Sequence, residues 1–215
     1  MKLKQEDKVH LLLGLFVMAV IVANIMGAKI TTIFGISMSV GIFVFPLTFL
    51  ITDVIEEVYG KEKTKMFILT AFFAMILVLL FTAFFVWLPP AERFSHNEEF
   101  VTIFSLSIRM IIASIIAFLV SQFHDIWAFN YWKQKTKGKY LWLRNNLSTI
   151  SSQFIDTMIF MYLAFLYMTP KFTPGFVFTL VIPYWLLKVF MAAADTPFCY
   201  LGVWWLRGEK PKKSK

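Results

Sequence analysis

Cysteine is almost missing from this chain of 215 residues: Cys199 stands alone, which excludes an internal disulfide and any site built from several thiolates. Histidine is scarce as well, with three copies. His10 and His96 read as terminal and loop-borne. His124 adjoins Asp125, but neighbouring helical residues point about 100° apart and do not chelate one ion together. The zincin, nucleophile-elbow and P-loop signatures are all absent, so neither an enzyme, a metal centre nor a resident cofactor is expected. Long polar stretches are lacking too, apart from a Lys-rich tail, so the chain reads as one apolar unit without a soluble domain or linker.

What fills the sequence is hydrocarbon. Apolar residues make up 59% and aromatics 18%, against about 45–50% apolar in an ordinary soluble domain. A surface facing lipid absorbs that excess, because it is apolar where a water-facing one cannot be. Six runs are long enough to cross a bilayer, near residues 9–28, 36–58, 66–88, 100–129, 147–168 and 175–206. The expected fold is therefore an all-α integral membrane bundle of six transmembrane helices, residues 9–206, between a short N-terminal segment (1–8) and a basic tail (207–215). The first run is too long for a signal-peptide core and is retained as a helix. Pro46, Pro183 and Pro197 are expected to kink the second and sixth spans, and the long fourth and sixth spans to tilt or protrude.

The formal charge of +8 would suit a nucleic-acid binder, but the placement of the charges argues against one. Lys2, Lys4 and Lys8, then Lys61, Lys63 and Lys65, then Lys133 to Arg144, then Arg207 to Lys215 all fall on one side of the predicted bundle. Only Lys29, Arg93 and Lys171 fall on the other. The positive-inside rule makes the basic side, with both termini, cytoplasmic. Trp127, Trp132, Trp142, Trp204 and Trp205 sit near that boundary as interfacial anchors.

Some charges remain inside the predicted spans: Arg109, Lys188, Asp53, Asp125, Asp156 and Asp195. One charge at mid-bilayer costs roughly 2.5–3.5 kcal/mol on insertion scales, so a group of them implies partners or a wet cavity. Two cations against four aspartates leave an acidic surplus, suited to a donor-rich substrate or a titratable proton. The competing reading is that the cations pair with aspartates only to hold the bundle together.

A short motif occurs twice, as Ser121-Gln122-Phe123-His124-Asp125 and Ser152-Gln153-Phe154-Ile155-Asp156. Ser and Asp at i and i+4 share a helix face, with Gln about a quarter turn away. Each copy offers a hydroxyl, an amide and a carboxylate, a set that suits the donor and acceptor edge of a nucleobase.

The run Phe45-Pro46…Thr52-Asp53-Val54-Ile55-Glu56-Glu57-Val58-Tyr59-Gly60, followed by Arg109, Ser121-Gln122…Asp125 through Asn130, and Ser152-Gln153…Asp156-Thr157, resembles the queuosine precursor transporter family of the vitamin uptake transporter group. The resemblance covers nearly the whole chain. It implies uptake of 7-deazaguanine bases (the 7-cyano and 7-aminomethyl precursors, or queuine) across a bacterial inner membrane. Carried onto matching positions, the substrate-binding or coupling candidates are Asp53, Arg109, Gln122, Asp125, Asn130, Ser152, Gln153 and Asp156. Lys188 fits a basic position of the last span, and Asp195 has no counterpart. On this reading Asp156 with Gln153 reads the guanine-like edge, and Phe123, Phe154 or Trp185 stacks on the ring. Asp53 or Asp125 pairs with an aminomethyl cation or carries a proton. The expected partners are then a nucleobase-like solute and membrane lipids, with no nucleic acid. Small residues at Gly14, Ala19 and 192–194 permit a homodimer. The principal rival is a substrate-binding subunit of an energy-coupling-factor importer; a purely structural membrane protein is a second.

Overall fold

The computed structural model describes residues 4–33, 35–137, 141–194 and 196–207. Helix dominates them: α1 (Gln5–Met26), α2 (Phe45–Tyr59), α3 (Lys61–Trp87), α4 (Asn97–Lys135), α5 (Leu141–Phe165), α6 (Pro174–Ala194) and α7 (Thr196–Arg207). Three helical stretches, Gln5–Met26, Glu62–Trp87 and Asn97–Ser121, are long and apolar enough to cross a membrane; Ile150–Phe165 and Pro174–Phe190 are shorter apolar stretches. Phe73, Leu77, Leu80, Phe81 and Phe84 on α3 are all exposed. A helix bare of polar cover over such a length is stable against lipid and not against water. The chain is an all-α, multi-pass membrane protein.

Two of the expected spans are organised differently. Residues 36–43 do not begin a helix. Ile30–Ile33 (β1) and Ile36–Ser39 (β2) pair antiparallel, with Ile30 opposite Ser39 and Ile33 opposite Ile36. Gly35, at φ 77°, makes the turn between them, and the hydroxyls of Thr32 and Ser37 meet across the strands at 3.1 Å. A 3₁₀ turn over Val40–Phe43 then leads into α2. Pro46 lies in the first turn of α2, so it starts a helix and does not kink one; its missing N–H would be unpaired there in any case. At 15 residues, α2 is about 22 Å long, short of the roughly 30 Å thickness of a bilayer's hydrocarbon core.

The expected sixth span is two helices, α6 and α7, flanking Asp195, which lies outside the described residues. Pro183 is inside α6, whereas Pro197 sits in the first turn of α7, where the ring opens a new helix for the same reason as Pro46. The fourth span, by contrast, is one continuous helix of 39 residues.

Packing divides the bundle into two apolar clusters. One joins α4, α5 and α6 through Met110, Met161, Phe165, Leu180 and Tyr184. The other joins α1, α2, α3 and α7 through Phe16, Ile51, Ile55, Phe67 and Leu206. Helix α7 lies on α2 because Gly202 has no side chain; a Cβ there would come within 2.6 Å of Val54 Cγ2. Arg207 Nη2 donates to the Glu57 carbonyl at 2.8 Å. The Lys8 ammonium donates to the Trp205 carbonyl and lies 5.0 Å from that residue's ring centre. These contacts bring the start of α1 and the ends of α2 and α7 together on the basic face.

Candidate functional site

A cavity of about 280 Å³ opens where the two clusters meet, and α1 to α6 all contribute to its wall. Its size is just under the low end of the 300–1,000 Å³ typical of drug-sized ligands, which suits a smaller solute. Most of the wall is apolar, with Phe16, Phe45, Phe49, Phe72, Phe118 and Phe160 among its rings.

The polar part is concentrated on α4, α5 and α6. Lys188 Nζ donates to Asp156 Oδ2 at 2.8 Å, with the lysine side chain 7% and the aspartate 23% exposed. Taking both ions out of water costs several kcal/mol each, and the attraction between them in a low-dielectric interior offsets much of that. The ammonium also faces the rings of Phe45 at 5.2 Å and Tyr184 at 5.9 Å, so aromatic quadrupoles supplement the Asp156 carboxylate. Ser121 Oγ lies 3.5 Å from Asp156 Oδ1 and donates to the Phe118 carbonyl at 3.0 Å. The serine of one repeated motif thus faces the aspartate of the other, and Gln153 of the second copy lines the same space.

Of the binding or coupling candidates read from the sequence, Gln153, Asp156 and Lys188 line this cavity, as does Ser121 of the first motif. Ser152 is buried beside them but outside the lining. Asp53 is exposed and outside the lining as well, although its neighbour Thr52 contributes to the wall. Gln122, Asp125 and Asn130 lie on α4, with side chains outside the described residues. Arg109 is elsewhere. Its Nε donates to the Leu163 carbonyl at 2.8 Å and its Nη2 to the Leu166 carbonyl, capping the C-terminal turn of α5 where orphan carbonyls concentrate negative charge. Among the described lining residues, one carboxylate therefore faces one ammonium, not the acidic surplus expected.

The rings expected to stack are also elsewhere. Phe123 is 74% exposed, and Phe154 packs edge-on against Trp185 at 5.4 Å outside the cavity. Sequence reasoning passed over Asn24, Ser39, Thr48, Ser114 and Tyr184, all of which line the cavity. One pattern would have exposed part of this set. Ser107, Ser114 and Ser121 recur every seven residues, two turns of helix, and so form one polar stripe along α4. Its upper member, Ser107, donates to the Ile25 carbonyl at 2.8 Å near the end of α1.

Residues 39–202 match the family described as "Putative vitamin uptake transporter". A Bacillus subtilis protein named "Probable queuosine precursor transporter" is 31% identical over 87% of this chain and 82% of its own length. The Escherichia coli "Queuosine precursor transporter" is 26% identical over 75% of this chain and 71% of its own. A Haemophilus influenzae protein, again named "Probable queuosine precursor transporter", is 30% identical over 58% and 51% respectively. None of these names refers to an energy-coupling subunit or to an enzyme. No solved structure matches the chain. With the family match running from β2 to α7, through every element that carries the cavity except α1, this chain belongs to the vitamin uptake transporter family.

Proposed function

We propose that this protein imports queuosine precursors across the bacterial inner membrane, taking 7-deazaguanine bases from outside the cell for tRNA modification. The observation that carries the reading is the Asp156–Lys188 pair in a cavity walled by six helices. A guanine-like edge offers a ring N–H and an amino group beside a carbonyl oxygen. The carboxylate accepts the two donors, the ammonium donates to the carbonyl, and Gln153 supplies one further donor or acceptor. The flat faces of the lining phenylalanines hold the bicyclic ring.

Six crossings with both termini cytoplasmic complete the picture: α1, the hairpin with α2, α3, α4, α5 and α6, with α7 lying at the basic face. The clustering of Lys8, Glu57 and Arg207 at one end supports that arrangement, as does the concentration of Lys and Arg there.

The test is restoration of queuosine in tRNA. Cells lacking both synthesis and native uptake should regain the modification when they express this chain and are fed limiting 7-cyano- or 7-aminomethyl-7-deazaguanine or queuine. Membrane-inserted protein with no modification at any supplied base would overturn the reading.

A further inference from the structure

Asn24 sits on a helix that otherwise carries only apolar side chains and glycine from Leu11 to Met26. It is 7% exposed and lines the cavity. Its Nδ2 donates to the Val20 carbonyl at 2.8 Å and approaches Met75 Sδ at 3.4 Å. Because a carbonyl accepts only, the first contact fixes which end of the amide is nitrogen. The Oδ1 atom then accepts no hydrogen bond from the described residues. Nor is it sealed in: among the described residues the buried polar side-chain atom without a partner is His124 Nδ1. An amide in an apolar helix, with its donor held and its acceptor open to a cavity, is arranged to receive an N–H. A solute that fills the cavity takes over the space around this acceptor and must supply a donor to it, or leave it unpaired.

Asn24 and Asp156 approach the cavity from helices that are not main packing partners, since α1 packs on α2, α3 and α4 whereas α5 packs on α4 and α6. A solute held by Asp156 and Lys188 at its six-membered ring therefore presents its remaining polar edge to another part of the wall. In a deazaguanine that edge carries the N–H of the five-membered ring. From this geometry, and resting on the transport reading above, we infer that Asn24 Oδ1 accepts the five-membered-ring N–H of the base. Asn24 is then a specificity-determining residue that restricts the carrier to free bases. A nucleoside carries its sugar on that nitrogen; it has no hydrogen to donate and its bulk meets the α1–α3 wall.

The test compares uptake of 7-cyano-7-deazaguanine and its derivative methylated on the five-membered-ring nitrogen, using the full chain in proteoliposomes. The unsubstituted protein should carry the parent at least about tenfold faster, the scale of one lost hydrogen bond in a buried site. Asn24→Leu should slow the parent by a similar factor and bring the ratio of the two rates close to one. Asn24→Ala, smaller and likewise without a side-chain acceptor, covers the case in which the leucine variant does not insert, and it should lower the ratio as well. Met75→Leu removes the sulfur contact only and should leave the ratio unchanged. Equal uptake of parent and methyl derivative by the unsubstituted protein would overturn the inference. So would a ratio that survives Asn24→Leu or Asn24→Ala while both rates fall, since Asn24 would then only join α1 to α3. Uptake of neither compound would instead overturn the transport reading on which the inference stands.

Discussion

Arg109 donates to the carbonyl of Leu163, 54 residues further along the chain, at 2.8 Å. With its second bond to Leu166, the fork ties the first third of α4 to the end of α5, two turns beyond Asp156. The guanidinium is planar and rigid, so it bridges two carbonyls that a lysine ammonium on a flexible stem would not span together. Arg109→Lys should therefore lower stability in detergent by about 2 kcal/mol, the scale of charged hydrogen bonds. At matched protein levels the apparent affinity for substrate should stay unchanged. A shift in substrate affinity without loss of thermal stability would place Arg109 in recognition.

Asp156 and Lys188 behave as a unit. Lys188→Met alone leaves a carboxylate without its ion partner, a change that typically costs about 3–5 kcal/mol, and should reduce the amount of inserted protein. The double variant Asp156→Asn, Lys188→Met removes both charges and should recover abundance without recovering transport. Quantitative blotting beside uptake reads the two effects separately; transport in the double variant would show that the pair serves only to hold helices.

Gly202 predicts a steric rescue. Gly202→Ala places a methyl group within 2.6 Å of Val54 Cγ2, and overpacking of that kind costs about 1–3 kcal/mol. Adding Val54→Ala removes the clashing methyl groups and should return most of the lost melting temperature. If the two substitutions are additive, α7 does not bear on α2 at this point.

Sidedness can be read with cysteine chemistry, because Cys199 is the one natural thiol. On a Cys199→Ala background, Ser95→Cys should react with an impermeant maleimide in intact cells. Lys65→Cys should react only after permeabilisation. The reverse pattern would invert the proposed topology.

Much of this architecture is legible in the sequence. α1, α3 and α4 announce themselves as unbroken apolar runs with basic flanks, and Asp156 and Lys188 stand out because charges are costly in hydrocarbon. The hairpin was hidden because Ile30-Thr31-Thr32-Ile33 and Ile36-Ser37-Met38-Ser39 are short and as apolar as the helix that follows them. Length alone joined part of them to α2. Pro46 and Pro197 begin helices and do not kink them for a related reason: proline disrupts a helix interior and favours a first turn, and only the true start of the helix separates the two. Arg109 stands apart from the Asp156–Lys188 cavity because it bonds the backbone carbonyls of Leu163 and Leu166, partners that no count of charged side chains reveals. Phe154 meets Trp185 and Phe123 is exposed, so neither lines the cavity; which way each ring turns depends on how α4, α5 and α6 pack, and periodicity along a single helix does not determine that.

The length of α4 has a mechanical consequence. At 39 residues it measures about 58 Å, well beyond the hydrocarbon thickness of about 30 Å. It runs without interruption from the cavity wall at Ser114 and Ser121 to Lys135. A stiff rod of that kind acts as a pointer: any tilt of the helix at the cavity appears as a larger displacement at its far end, where a spectroscopic probe would read it.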